Sequence, residues 1–243
     1  MTHRRFIHAL QFLTRLPTPR VSNSEPADLA RSAVWFPVVG AIIGLGLAAA
    51  VWAGGYASPW IGALFGVLIW VWITGGLHLD GLADVADALG AAHRSPNRFV
   101  EVAHDPHVGA NGVIAIVLQL MAKLVLLAQI PQSQALLSLI LVPVWARWGP
   151  LAWSLMLPSL SQGLGERFSQ EITRARVAAY GVALTLISAW LAPILIGALV
   201  IVVIIAAYWK YRLGGLTGDC LGASIEIMET ALLFLIVAAT AFA

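Results

Sequence analysis

The stretch VAAYGVALTLISAWLAPILIGALVIVVIIAAYW, residues 177–209, contains no Asp, Glu, Lys or Arg. A helix needs roughly 20 apolar residues to cross the hydrocarbon core of a bilayer. The run is therefore long for one upright helix and tight for two, and Pro193 stands near its middle. Two more runs, 32–79 and 124–146, are equally free of charge. Lipid forces every backbone N–H and C=O to pair internally, which leaves helices or a closed barrel. A barrel writes short alternating segments, whereas these runs are long and unbroken. The expected fold is all-α: a polytopic transmembrane helical bundle, with residues 1–243 as one integral membrane domain.

Composition agrees. Of 243 residues, 60% are hydrophobic and 11% charged, against about 25% charged in soluble domains, and the mean hydropathy is +0.86. The net charge of +2 gives no purchase to a nucleic acid, so the lipid bilayer is the expected partner. Cys220 is the single cysteine, which excludes an intrachain disulfide and a Cys-rich metal site. Phe6–Leu13 is too short an apolar run for a signal peptide, and no small-residue cleavage site follows it. Residues 3–15 read instead as an amphipathic helix on the membrane, within a cytoplasmic surface segment 1–31.

Spans are expected near 34–53, 60–74, 111–130, 134–153 and 221–241, with two more inside 177–209. That makes about seven, or six if 177–209 crosses once. Cytoplasmic loops carry excess Lys and Arg, so Arg4, Arg5, Arg15, Arg20 and Arg31 place the N-terminus in the cytoplasm. The same rule returns Arg94, Arg98, Arg167, Arg174 and Arg176 to that side, and it brings Lys210 and Arg212 there only if 177–209 crosses twice. Most of the ten tryptophans are expected at the membrane interfaces, which suit their amphipathic rings.

This topology gathers acids. Asp80, Asp84, Asp87 and Asp105 lie in one stretch and Asp219, Glu226 and Glu229 in another. Both stretches reach the cytoplasmic face, where 77–110 and 210–220 are expected to form active-site loops. In Thr74-Gly-Gly-Leu-His-Leu-Asp80-Gly-Leu-Ala-Asp84-Val-Ala-Asp87 the carboxylates are spaced i, i+4, i+7 and share one helix face. Stacked carboxylates supply the hard oxygens that Mg²⁺ takes, with substrate phosphates completing its shell. Asp105, in His104-Asp105-Pro106-His107-Val-Gly109, either caps the helix that follows or joins the metal. His78, His104 and His107 lack a convincing zinc spacing, and His78 and His107 fit phosphate contacts better.

In Gly214-Gly-Leu-Thr217-Gly218-Asp219-Cys-Leu-Gly222 a glycine-rich turn opens a helix. Such a turn, with Thr217 and Gly218, offers free N–H groups to a phosphate. Asp219 at the turn can bind metal. Glu226 and Glu229 lie deeper, i and i+3 on one face. Ionisable groups inside a span face the bundle interior, so these two either serve a substrate or pair with Arg147. Arg15, in the rigid Thr14-Arg15-Leu-Pro17-Thr-Pro19, and Arg147, between Trp145 and Trp148, can hold a pyrophosphate in bidentate fashion.

The sequence resembles the adenosylcobinamide-GDP ribazoletransferase family, also called the cobalamin synthases. The resemblance rests on Phe12-Leu-Thr-Arg15-Leu-Pro17, Phe36-Pro37-Val-Val-Gly40, the block 74–87, Asp105 with Val108-Gly109, and 214–223. His104, Pro106 and His107 depart from the flanks expected around Asp105. The resemblance implies a bacterial inner-membrane transferase that uses Mg²⁺. A ribose hydroxyl of α-ribazole, or of its 5′-phosphate, attacks adenosylcobinamide-GDP, and GMP leaves. With that reaction in view, Asp80, Asp84 and Asp87 are expected to hold the metal, with Asp219 a fourth ligand or the base. Catalysis then falls to Asp80, Asp84 and Asp219. A homo-oligomer is compatible with this reading.

Two alternatives stay open. Asp80-Gly-Leu-Ala-Asp84 opens like the motif of CDP-alcohol phosphotransferases, but Ala83 stands where that motif has Arg and the later acids are absent. An ion-coupled transporter could line its pathway with Glu226, Glu229 and Arg147.

Overall fold

A computed structural model describes residues 2–19, 26–91, 96–103, 107–160 and 172–241. In chain order the helices are α1 (Thr2–Leu13), α2 (Pro26–Ser32), α3 (Phe36–Gly55), α4 (Pro59–Thr74), α5 (Leu77–Ala91), α6 (Pro96–Ala103), α7 (Ala110–Gln129), α8 (Gln132–Met156), α9 (Arg174–Leu191), α10 (Ala198–Arg212) and α11 (Gly218–Ala241). No strand occurs among the described residues; one parallel bridge joins Ser159 to Leu216. The all-α expectation holds. His104, Asp105 and Pro106 lie outside the described residues, as do Arg20, Arg94 and Arg167.

Among the described residues five helical segments are long and apolar enough to cross a membrane: Ala30–Gly55, Ala110–Gln129, Leu136–Met156, Pro193–Arg212 and Gly218–Thr240. A sixth is the pair α4 and α5 taken together, bent by 88°. The seven-span reading also counts α9, whose first turn carries Arg174 and Arg176. The long run 177–209 is indeed broken at Pro193. A short 3-10 turn, Pro193–Gly197, separates α9 from α10, because proline removes a helical N–H and clashes with the preceding turn.

Helix α8 is the centre. Its apolar window is 83% buried, against 22% for α7, which turns Val113, Ile114, Val117, Leu118 and Met121 outward. Exposed side chains of that kind suit contact with lipid tails. Helix α3 packs closely on α8 because Gly40 and Gly44 lack side chains. A Cβ at Gly40 would stand 2.5 Å from the Pro143 carbonyl oxygen. Small residues let transmembrane backbones approach in this way.

Two placements differ from expectation. The polar stretch 77–110 is largely helical, forming α5 and α6, because 77–91 is rich in Ala and Leu and buries Leu79 and Ala83 on one side and Gly81, Val85 and Ala88 on the other. Tryptophans 70, 145, 148, 153 and 209 are buried rather than interfacial. Four of them are anchored through their indole N–H groups, which satisfies the one polar atom each carries. Trp145 donates to Ser188 Oγ (2.9 Å), Trp148 to the Val177 carbonyl (3.0 Å), Trp153 to the Val202 carbonyl (3.0 Å) and Trp209 to Ser224 Oγ (2.8 Å).

Candidate active site

The site is built where two helices begin side by side. Helix α4 ends at Gly75 and Gly76, with φ of +63° and +75°, a region open to glycine at little cost. This left-handed turn bends the chain into α5. Arg15 clasps it: its backbone N–H donates to the Ile73 carbonyl (2.7 Å) and Nη2 to the Gly75 carbonyl (3.2 Å). The Arg15 side chain fills the space that a Cβ at residue 75 would need.

The second helix start is fixed by backbone pairing. Leu216 donates to the Pro158 carbonyl (2.9 Å) and accepts from Leu160 N–H (2.8 Å). Thr217 then caps α11, its Oγ1 accepting from Cys220 N–H at 3.2 Å. Serine- and threonine-type caps satisfy N–H groups that a helix start leaves unpaired.

Helices α5 and α11 cross at glycines. A Cβ at Gly81 would lie 3.1 Å from the Asp219 carbonyl oxygen, and one at Gly222 3.6 Å from His78 Cα. This close approach sets the two first turns together and places Asp80 and Asp219 on one cavity of about 210 Å³. Its other walls are Phe12 and Leu13 of α1, Phe36 of α3, Pro150 of α8, and Leu77, His78, Gly218, Leu221 and Ile225. Phe12 and Phe36 stack at 5.8 Å. Both helix N-termini add positive potential, which favours carboxylates there and an incoming phosphate.

Asp84 and Asp87 follow on the same helix and are half-buried. Asp87 is engaged elsewhere, accepting from Gly109 N–H (2.7 Å) and Gly112 N–H (2.9 Å) at the start of α7. Asp105 and His104 lie outside the described residues. His107 is exposed before α7. Arg15 is exposed and is not itself in the cavity wall, although Leu13, two residues before it, and Leu77, two residues after its contact Gly75, are. Among the described residues no three His, Cys, Asp or Glu side chains group closely enough to hold a metal by themselves. Asp80 and Asp219 still suit Mg²⁺, which commonly takes one or two protein carboxylates and completes its shell with water and substrate phosphate.

Arg147, Glu226 and Glu229 are placed away from this cavity, deeper in the bundle. Arg147 Nη1 pairs with Glu229 Oε1, and both residues are fully buried. Lys123, which sequence reasoning passed over, donates to Glu226 Oε2 (2.7 Å) and Glu229 Oε2 (2.5 Å). Its ammonium also sits 4.1 Å from the Trp70 ring centroid, a favourable cation–π distance. Gln119 Nε2 lies 2.9 Å from Glu226 Oε2 and 2.8 Å from its carbonyl. Two cations and two anions therefore neutralise one another. Their signal was present in α7: between its ends, Asn111 and Gln129, the helix is apolar except for Gln119 and Lys123 at i and i+4, a spacing that puts both on one face.

A family model for cobalamin-5-phosphate synthase matches residues 5–237. A protein from Thiobacillus denitrificans named adenosylcobinamide-GDP ribazoletransferase is 51% identical over 237 residues, covering 96% of this chain and 94% of its own length. Proteins of the same name from Novosphingobium aromaticivorans and Brevibacillus brevis are 48% and 35% identical. The first alignment covers 95% of this chain and 94% of the relative, the second 96% and 97%. No solved structure matches this chain. Matched from end to end by the family model and by these relatives, the chain belongs to the cobalamin-5-phosphate synthase family.

Proposed function

We propose that this chain transfers the adenosylcobinamide-phosphate moiety of adenosylcobinamide-GDP to α-ribazole or its 5′-phosphate. A ribose hydroxyl oxygen forms a bond to the corrinoid-side phosphorus, the bond from that phosphorus to the bridging oxygen breaks, and GMP leaves with the bridging oxygen. The observation that carries the reading is the meeting of Asp80 and Asp219 on one cavity, each in the first turn of its helix.

Asp80 and Asp219 would hold Mg²⁺, which when bound neutralises charge developing on the diphosphate. A carboxylate of the pair takes the proton of the attacking hydroxyl. Backbone N–H groups at the starts of α5 and α11 orient the phosphates. The cavity of about 210 Å³ is smaller than the ~300–1,000 Å³ typical of drug-sized ligands. It suits a diphosphate, so the corrin ring and nucleosides lie at the mouth against apolar groups such as Phe12, Phe36 and Leu77.

Basic residues support a cytoplasmic orientation of this face in the bacterial inner membrane. Arg15 holds the bend that opens α5, and Lys210 and Arg212 close α10 just before α11 begins. The transporter alternative loses its pathway residues, since all three are buried and paired within the protein, Glu226 with Lys123 and Glu229 with Arg147.

The test is full-length protein in liposomes given adenosylcobinamide-GDP, α-ribazole 5′-phosphate and Mg²⁺. GMP release with a stoichiometric cobalamin phosphate product is expected. Neither product appearing would overturn the proposal.

A further inference from the structure

His78 lines the cavity, yet its ring is tied to the buried charge network beneath it. Arg147 Nη2 lies 3.3 Å from His78 Nδ1. A guanidinium can only donate, so Nδ1 is the acceptor and the ring proton sits on Nε2. Arg147 cannot turn away, because its other arm holds Glu229. Glu229 is in turn held by Lys123. The α11 backbone at Gly222 packs against the His78 backbone and fixes the ring's base. His78 itself is 4% exposed and lines the cavity. With Nδ1 turned to Arg147, Nε2 is the ring nitrogen left to serve that cavity.

We infer that His78 is a hydrogen-bond donor to a phosphate oxygen in this cavity, locked as the Nε2–H tautomer by Arg147, which is a positioning residue and not a phosphate clamp. The inference rests on the phosphoryl-transfer reading for its ligand. Its structural half, the locked tautomer, does not. A second carboxylate-like base at this position would compete with Asp80 and Asp219, whereas a fixed N–H complements the charge that builds on the transferring phosphate. It also gives a role to the histidine two residues before Asp80 that is buried yet lines the cavity.

Two measurements test it. The first is nitrogen NMR of the full chain labelled at histidine, with the His78 signals assigned by their loss in His78→Gln. One acceptor-type nitrogen at Nδ1 and one N–H at Nε2 are expected, without any substrate present. Arg147→Lys keeps a cation opposite Glu229 but frees Nδ1, so both tautomers should then appear. A proton on Nδ1 in the wild type would overturn the lock, even if the transferase activity is confirmed.

The second is GMP release by His78→Gln and His78→Phe. Glutamine can place an N–H close to the position of Nε2 and should lose about tenfold in kcat. Phenylalanine keeps the ring shape without a donor and should lose about 10²–10³-fold, the range for removing one oxyanion-type donor. Equal losses in the two variants, or none, would overturn the donor role. A wild type with no activity at all would instead sink the proposed reaction and leave the tautomer result standing.

Discussion

Helix α11 carries two acidic regions that differ in what surrounds them. At its first turn Asp219 meets Asp80 on a cavity whose described lining contains His78 but no Lys or Arg. Two turns further in, Glu226 and Glu229 are enclosed with Lys123 and Arg147 in a balanced quartet. In sequence the two regions look alike: acids among glycine, alanine and isoleucine. The setting separates them: one region faces a cavity and the other is closed in by buried cations. Charges inside a bundle must be neutralised locally, and the quartet does this with protein groups alone. Among the described residues the walls around Asp80 and Asp219 hold no Lys or Arg side chain, and the cavity pair faces open space in which an ion or a phosphate could be taken up.

The largest expected effect breaks the quartet. Glu229→Ala removes the carboxylate that bridges Lys123 and Arg147, leaving buried positive charge without its counterion. Loss of one partner of a buried pair costs about 3–5 kcal/mol. Thermal unfolding of the purified variant in detergent should show a large drop. Replacing both Glu229 and Arg147 by methionine should restore much of it, since no net charge is then added to the core. If Glu229→Ala unfolds like the wild type, the quartet is not structural and the comparison fails.

The cavity pair should behave in the opposite way. Asp80→Asn and Asp219→Asn keep side-chain size and lose charge at a site that already faces space. Their unfolding temperatures should stay at the wild-type value while GMP release falls about 10²–10³-fold, the scale on which losing an electrostatic stabiliser of the transition state is felt. Loss of stability with intact turnover would move these acids out of the site.

Much of this was legible before the fold was known. Charge-free runs gave the bundle, and Pro193 marked the break between α9 and α10. The meeting of Asp80 with Asp219 followed from placing both stretches on one face. The quartet was not legible as a unit, because its members come from α7, α8 and α11 and only helix packing reveals their balance. Arg147 read as a phosphate clamp because arginine beside tryptophan looks the same whether it faces a cavity or a core. The tryptophans misled for a related reason. An indole suits the interface, but it suits a core equally well where a serine hydroxyl or a free carbonyl meets its N–H.

The smallest expected effect concerns Asp87, which sequence spacing sets on the same face as Asp80 and Asp84. Its two oxygens accept from Gly109 and Gly112 N–H, the cap and third positions at the start of α7. Helix α7 begins Gly109-Ala-Asn-Gly112 with no side-chain cap of its own. Asp87 supplies one from another helix and ties α5 to α7. Losing such a cap costs about 0.5–2 kcal/mol, so Asp87→Ala should unfold modestly early and exchange amide hydrogen faster over the first turn of α7. Asp87→Asn keeps one acceptor oxygen and should fall between the two. Turnover should drop far less than in Asp80→Asn, because what is lost is a tie between helices and not a charge in the cavity. If Asp87→Ala instead kept full stability and lost turnover as Asp80→Asn does, Asp87 would belong with the cavity acids. The division drawn here between capping and chemistry along α5 would then have to be redrawn one turn further down the helix.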